Sequence, residues 1–498
     1  MFSGRWTNGL EYEVLEFDDP SPSYALSDDV WQNPEQSRLA NLGCWVLSHD
    51  PLIDRIAVPN ASVWLELLPQ LVHSTRTAYT AAAAFGAVYE SCLLSNDKAS
   101  ADTQASTIYS KALSVLQQDL VDRPSGTAPL LVSCILLACV EVVQRHRENA
   151  HRHLEGAFKI LEISDDDNLC LASNTTPSSD GTSSRSTSIL PSHFPKKDDL
   201  ALLLKSLDLH TATYTSSKLL HLAGPVDNTP FEFTSISGAD LQLLLSLHSV
   251  HHFTSPASRL KYLPPSQIPR ATLIEQGHHL GRLTLWLKCL DENVLHPQRT
   301  LDPSSHRHAL MLRAQCLVAI INTSAILSPY EVEYDRHAAA FREVIDAAAV
   351  VIDGRDESAI KFRPGLGIIQ PLLFTALKYR NGRARRRAIS LLKRSGVEGP
   401  WVGWVEAAVA ERTMKVEEEM FDRLSGEEIT EGMIPERKRV CGTHLHDDYY
   451  ERSVRTNRLR VSLSRCVDVE YMISGKEGFE SGKHWNVWME DIDIDVGG

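Results

Sequence analysis

The chain has 498 residues, enough to bury a large core and to hold two or three domains. Its 43% hydrophobic and 23% charged content is that of a soluble globular protein. Fifty basic against 64 acidic residues leave a net charge of −14, which argues against non-specific nucleic-acid binding by the whole surface.

Nine cysteines, scattered and odd in number, several inside apolar runs, read as reduced, buried thiols of an intracellular protein. No charged stretch followed by an apolar one opens the sequence, so no secretory signal is expected. The longest apolar run, 128–140, falls short of the roughly 20 residues that span a bilayer. No membrane is expected among the partners.

Residues 1–38 are acidic, with Pro20, Pro22 and Pro34, and read as a loosely ordered lead-in. A first helical part follows over 39–163. Trp64, Leu67, Leu68 and Leu71 have helical spacing, and Pro69 marks a break or a new start. The alanine-rich stretch 77–94 is built of good helix formers that pack closely. Ile108, Ala112, Val115 and Leu116 give 105–120 an apolar stripe. Residues 129–163 then predict an αα-hairpin. Its first helix is apolar on nearly all sides and must be enclosed. Its second carries Ala150, Leu154, Ala157, Phe158 and Leu161 along one face.

The Ser/Thr-rich stretch 164–199 has too few large apolar groups to offset the entropy of ordering it, and is expected to be a disordered loop. Helical patterns resume over a second part, 200–425: residues 200–222, 238–250, 270–290, 306–327, 334–351, 372–394 and 401–424. No fixed period repeats, so a regular solenoid is excluded. In the last part, 426–498, Leu459, Val461, Leu463, Val467, Val469 and Tyr471 alternate with polar residues, and period two predicts a strand over 458–471. Its partners would be 439–446 or 485–489. The fold class is mainly α: stacked antiparallel helix pairs with a small C-terminal β-hairpin or sheet.

Several segments, in this order, resemble the regulatory region of fungal zinc-cluster (Zn(II)2Cys6-type) transcription factors. Trp64 with Leu68, Pro69, Gln70, Leu71 and His73 is similar to that family's W…LPQLSHS segment, and Tyr109 to Leu113 to its Y-x-K-A-(I/L) helix. The hairpin carries a further likeness through Leu130, Leu131, Cys134, Leu137, Glu141, Ala150, His153, Leu154, Gly156, Ile160 and Leu161. Residues 204–214, then Gly367 to Leu372 with Arg385, Arg386, Arg387, Ala388, Leu391 and Leu392, then Trp401 with Glu417, Glu418 and Glu419, extend it to roughly 40–490.

The resemblance implies a nuclear regulator of a metabolic or secondary-metabolite pathway, with a small-molecule effector among its potential ligands and the cytoplasm as the alternative location. It also implies two C-x2-C-x6-C units that bind zinc and present a helix to DNA. The nine cysteines contain no such units. The expectation is therefore no direct sequence-specific DNA binding, with a DNA-binding transcription factor or co-regulator as partner, unless the zinc-cluster stretch was lost from the gene model.

Site chemistry is sparse. His444, His446, Asp447 and Asp448, and His248, His251 and His252, are the most metal-like groups. The first reads as a polar turn, and Phe253, Ser255 and Pro256 are expected to end the helix that carries the second. Residues 478–483 fall one short of a phosphate loop, and no G-x-S-x-G elbow is present. No catalytic, cofactor or metal residues are assigned and no cofactor is expected. An enzymatic role is the less favoured reading; its form would be a helical-scaffold enzyme or a small-molecule-binding accessory protein of a biosynthetic pathway. The one candidate site is basic: Arg380, Arg383, Arg385, Arg386, Arg387, Lys393 and Arg394 as a nuclear-import signal or partner-binding patch, or else simply a solvated helix face, with Pro435 to Arg439 a weaker second.

Overall fold

The computed structural model describes residues 33–48, 63–94, 98–122, 126–144, 146–163, 197–215, 220, 231, 233–296, 298, 300–354, 366–399, 401–421, 424–446, 458–474 and 484–493. Of the Ser/Thr-rich stretch 164–199, residues 164–196 lie outside them and 197–199 are helical, and most of the acidic lead-in lies outside them too. Pro34, placed in the lead-in above, instead opens the first helix, α1 (Pro34–Ser48).

A π-helical turn, Val63–Leu67, runs directly into α2 (Leu68–Ser74), with Pro69 in its first turn, where a missing N–H costs nothing. Helix α3 (Arg76–Tyr89) is the axle of the first half. Every residue from Thr77 to Tyr89 is buried. Its small side chains let α1 cross it backbone against backbone: a Cβ on Gly43 would strike the Ala82 carbonyl, and one on Gly86 the Leu39 carbonyl. Helix α4 (Lys98–Asp122) and α5 (Thr127–Gln144) pack on α3, and α6 (Arg147–Ile163) covers α5. The predicted hairpin is therefore present. Helix α5 is apolar enough to cross a membrane by length and composition, with mean hydropathy 1.9, yet 83% of it is buried in protein.

Helix α7 (Lys197–Thr215) leads to the second half: α8 (Ile236–Ala257), α9 (Arg270–Asn293), α10 (Pro303–Ala325), α11 (Ala338–Asp353), α12 (Ile369–Lys378), α13 (Gly382–Arg394) and α14 (Gly403–Glu418). Three expectations are corrected here. Helix α8 passes through Phe253 to Ala257, because Pro256 stands in its last turn and the chain continues as a 3-10 turn. The single helix expected over 372–394 is two, because Asn381 caps a new start by accepting the Ala384 N–H at 3.1 Å. The stretch from Trp401 begins as a strand. Here β1 (Val397–Glu398) and β2 (Trp401–Val402) form a two-residue ribbon, turned at Gly399 with φ +53°.

At the C-terminal end, β3 (Gly442–Leu445), β4 (Arg458–Cys466) and β5 (Trp485–Asp493) make an antiparallel sheet with β4 central, so both predicted partners pair with it. The strand predicted to reach 471 stops at Cys466, because Asp468 accepts the Tyr471 N–H at 3.0 Å and caps a short helix, α15 (Val469–Ile473).

Two large buried cores result, with two small clusters, around Leu209 and Leu244 and around Phe253 and Leu327, beside them. The first joins α1–α7 to Leu459, Val461, Leu463 and Ile492 of the sheet. The second joins α8–α13. Helix α14 is the wall between them: Val405, Val409 and Val416 face the first, and Ala407, Ala410 and Met414 the second.

Candidate functional site

In the hairpin, the two polar residues singled out from the sequence do meet. Glu141, on an otherwise apolar helix, is 2% exposed. A buried carboxylate needs donors on both oxygens. Tyr109 of α4 donates to Oε1, His146 Nδ1 lies 2.8 Å from Oε2, and the Tyr109 oxygen is 3.2 Å from His153 Nε2 on α6. Burial alone would raise the Glu141 pKa, but the hydrogen bonds from His146 and Tyr109 outweigh it and the carboxyl sits below its usual range. Burial holds His153 low, against the pull of Glu141. The cluster pins α4, α5 and α6 at one point. His146 and Tyr109 were not read from the sequence as its members; 32 residues separate Tyr109 from Glu141.

The basic run is divided by the fold. Arg380 and Arg385 are fully buried and so cannot belong to a surface patch. Arg380 Nη2 reaches Glu331 Oε2, Glu417 Oε1 and the Val440 carbonyl, each at 3.1 Å. Arg385 Nη2 lies 2.6 Å from Glu417 Oε2, and its Nε donates to the Ala376 carbonyl at 2.9 Å. For Arg385 the physical reason is the period of α13: the fourth residue past the Asn381 cap turns inward, toward α14. Arg386 is half-buried against Glu418 at 2.5 Å.

The other four are at the surface, each beside an acid. The distances are 3.4 Å for Arg383 and Glu427, 2.6 Å for Arg387 and Asp346, 3.1 Å for Lys393 and Glu411, and 2.9 Å for Arg394 and Asp353. In the weaker basic segment, Arg439 is also buried, clamped on Asp335 at 2.7 Å through both terminal nitrogens.

This interior network is what the sequence did not show. Glu331 receives Lys378 Nζ at 2.8 Å and Lys261 Nζ at 3.2 Å besides Arg380. Burial works to raise its pKa, and these cations more than reverse it. Burial also works to lower Arg380, and Glu417 and Glu331 keep its guanidinium charged. Glu417 additionally accepts the Val440 N–H at 2.7 Å. The network therefore ties α12, α13, α14 and the strap leading to β3 together.

Of the metal-like groups, His248, His251 and His252 lie on α8 and His444 in β3, while Asp447 and Asp448 lie outside the described residues. His248 and His252 stack edge to face at 4.9 Å, and His446 Nε2 lies 2.6 Å from Ser462 Oγ. Among the described residues no group of three or more His, Cys, Asp or Glu is placed to hold a metal ion. A narrow cleft between α8 and α9 is lined by Phe231, Gln242, Ser246, His279 and Arg282.

These groups sit on a mainly α scaffold whose polar interior joins helix to helix. Residues 52–192 match the family model of the fungal specific transcription factor domain. The match holds the hairpin and its Tyr109–Glu141–His153 tie, a narrower extent than the resemblance over 40–490. No curated protein and no solved structure matches the chain. A domain of fungal transcription factors supports a role of the transcription-regulator kind.

Proposed function

We propose that this protein regulates transcription of a fungal metabolic or secondary-metabolite pathway, from the nucleus, together with a DNA-binding factor or co-regulator. The observation that carries the reading is the family match over 52–192. The physical support is the use made of polar side chains: Glu141, Glu331 and Glu417 are each held between helices. That is how a rigid platform for partners is built. The four surface cations of α13 keep the import or docking role open to them, as members of mixed-charge pairs.

The test is deletion of the gene with transcripts and metabolites measured together, and the location of a tagged protein scored. The expected result is nuclear signal and a defined set of altered transcripts. Unchanged transcripts beside a missing metabolite would overturn the reading in favour of a helical-scaffold enzyme. The purified chain is expected to form no sequence-specific DNA complex at moderate salt.

A further inference from the structure

Helix α9 (Arg270–Asn293) is anchored by one face. His279, Leu283, Trp286 and Leu290 are its only buried residues, and the Trp286 indole N–H donates to the Ala239 carbonyl at 3.0 Å. The opposite face does not look like a solvent face. Leu273, Ile274 and Leu285 are 47%, 64% and 46% exposed. Between them Gly277 and Gly281 leave open space where a Cβ would stand, with no atom within 4 Å. Glycine inside a helix weakens it, and nothing described in this chain packs into the recess in return. At 100° per residue Arg270, Ile274, Gly277, Gly281, Leu285, Lys288 and Glu292 fall along one stripe, on the side opposite Leu290. Exposed apolar side chains on either side of an open recess suit a close helix–helix contact.

We infer that this stripe is the contact through which two copies of the chain pair, α9 against α9, antiparallel about Gly281. The stripe is complementary to itself only in that sense. With Gly281 on the two-fold axis, Leu285 of each copy seats over Gly277 of the other. The Ile274 side chain meets the methylene stem of Lys288. Arg270, exposed at the start of the helix, comes opposite Glu292, which is exposed near its end and already lies 3.7 Å from Lys288 of its own helix. Both ends of the pair then join unlike charges, and the helix dipoles oppose. A parallel pair would set Arg270 on Arg270 and Glu292 on Glu292. The isologous geometry also closes at two copies. One helix pair lies at the small end of specific interfaces, below about 1,200 Å² in total. The dimer is accordingly weak, with a dissociation constant on the order of 10 μM.

Sedimentation velocity of the full chain from about 1 to 100 μM spans that value and should show a reversible monomer–dimer equilibrium. Leu285→Glu, and Gly277→Leu, which fills the recess, should each weaken it at least about tenfold, the first leaving the monomer's thermal unfolding unchanged and the second raising it slightly, because a glycine leaves the helix interior. Arg270→Glu alone should weaken it, and R270E combined with E292R should restore it. Mixing R270E chains with E292R chains should favour the mixed dimer. A chain monomeric at every concentration, a dimer indifferent to Leu285→Glu, or a double variant that fails to recover would each overturn the proposal.

Discussion

Helices α9 and α13 both lie on the outside of the second helical part, and they treat their faces in opposite ways. Helix α13 buries Ala388, Ile389, Leu391 and Leu392, and its charges are all met: Arg385 points inward to Glu417, and Arg383, Arg387, Lys393 and Arg394 point outward, each to its own acid. Helix α9 buries Trp286 within and exposes Leu273, Ile274 and Leu285 without, among Arg270, Lys288 and Glu292. A run of cations looks like a binding surface in one dimension, yet here it is internally satisfied. The helix with no motif to attract notice carries the surface that remains unmatched. What decides whether a residue can meet a partner is what already touches it.

The sharpest way to test that contrast is to remove the acid that serves α13 from within. Glu417→Ala would leave Arg380 and Arg385 buried without their shared carboxylate, at a cost of about 3–5 kcal/mol. A urea denaturation midpoint checks this, and a loss under 1 kcal/mol would mean that water reaches the guanidiniums. Truncating the α9 anchor, Trp286→Ala, opens a cavity and removes the bond to Ala239, at a similar cost of about 3–5 kcal/mol. The same measurement checks it. Both substitutions lie inside, and equal losses would show that charge pairing and apolar packing hold their helices comparably.

Acid should separate the two sides. Burial first, then His252, Lys205 and His251, push His248 on α8 down to about 3, and burial with His278 and Arg282 pushes His279 on α9 down to about 4. In the unfolded chain both titrate near 6.5. Between those values the unfolded state binds more protons, so stability on the α8–α9 side falls as pH drops from about 6.5. Glu331 and Glu417, depressed by their cations, hold the α13 side through that range and give way only in stronger acid. Hydrogen exchange at pH 7 and pH 4.5 should show α8 and α9 losing protection first, and His248→Phe should flatten the difference. Simultaneous loss on both sides would refute the split.

The smallest effect belongs to the α13 surface. Arg394 and Asp353 are more than half exposed, and Arg394→Ala should change stability by no more than about 0.5 kcal/mol. A loss above 1 kcal/mol would mean that the outer pairs act as a network.

Much of the architecture was legible because it rests on local periodicity. An apolar run with only Ser133 and Glu141 in it had to be enclosed, and α5 is. Strand β4 showed itself by alternation, and the sequence also offered both of its neighbours. What could not be read was pairing over distance. Arg380 finds Glu417 across 37 residues and Glu331 across 49, so its burial left no trace in its own neighbourhood. Asn381 was legible in principle as a cap, but the amphipathic pattern on both sides of it masked the break. Gly277 and Gly281 read as weak helix residues, and only the empty space over them showed what they permit.

The Val440 backbone has a consequence in time. It closes the network by accepting from Arg380 and donating to Glu417. Sixty residues separate Arg380 from Val440, and a ribosome adds about 5–20 residues each second. For several seconds of every synthesis, α13 exists with its inward cations made and their last partner not yet built. The network therefore cannot close before residue 440 is made. It waits for the strap, and a nascent chain stalled before residue 440 would present those guanidiniums to whatever chaperone or acidic surface is nearest.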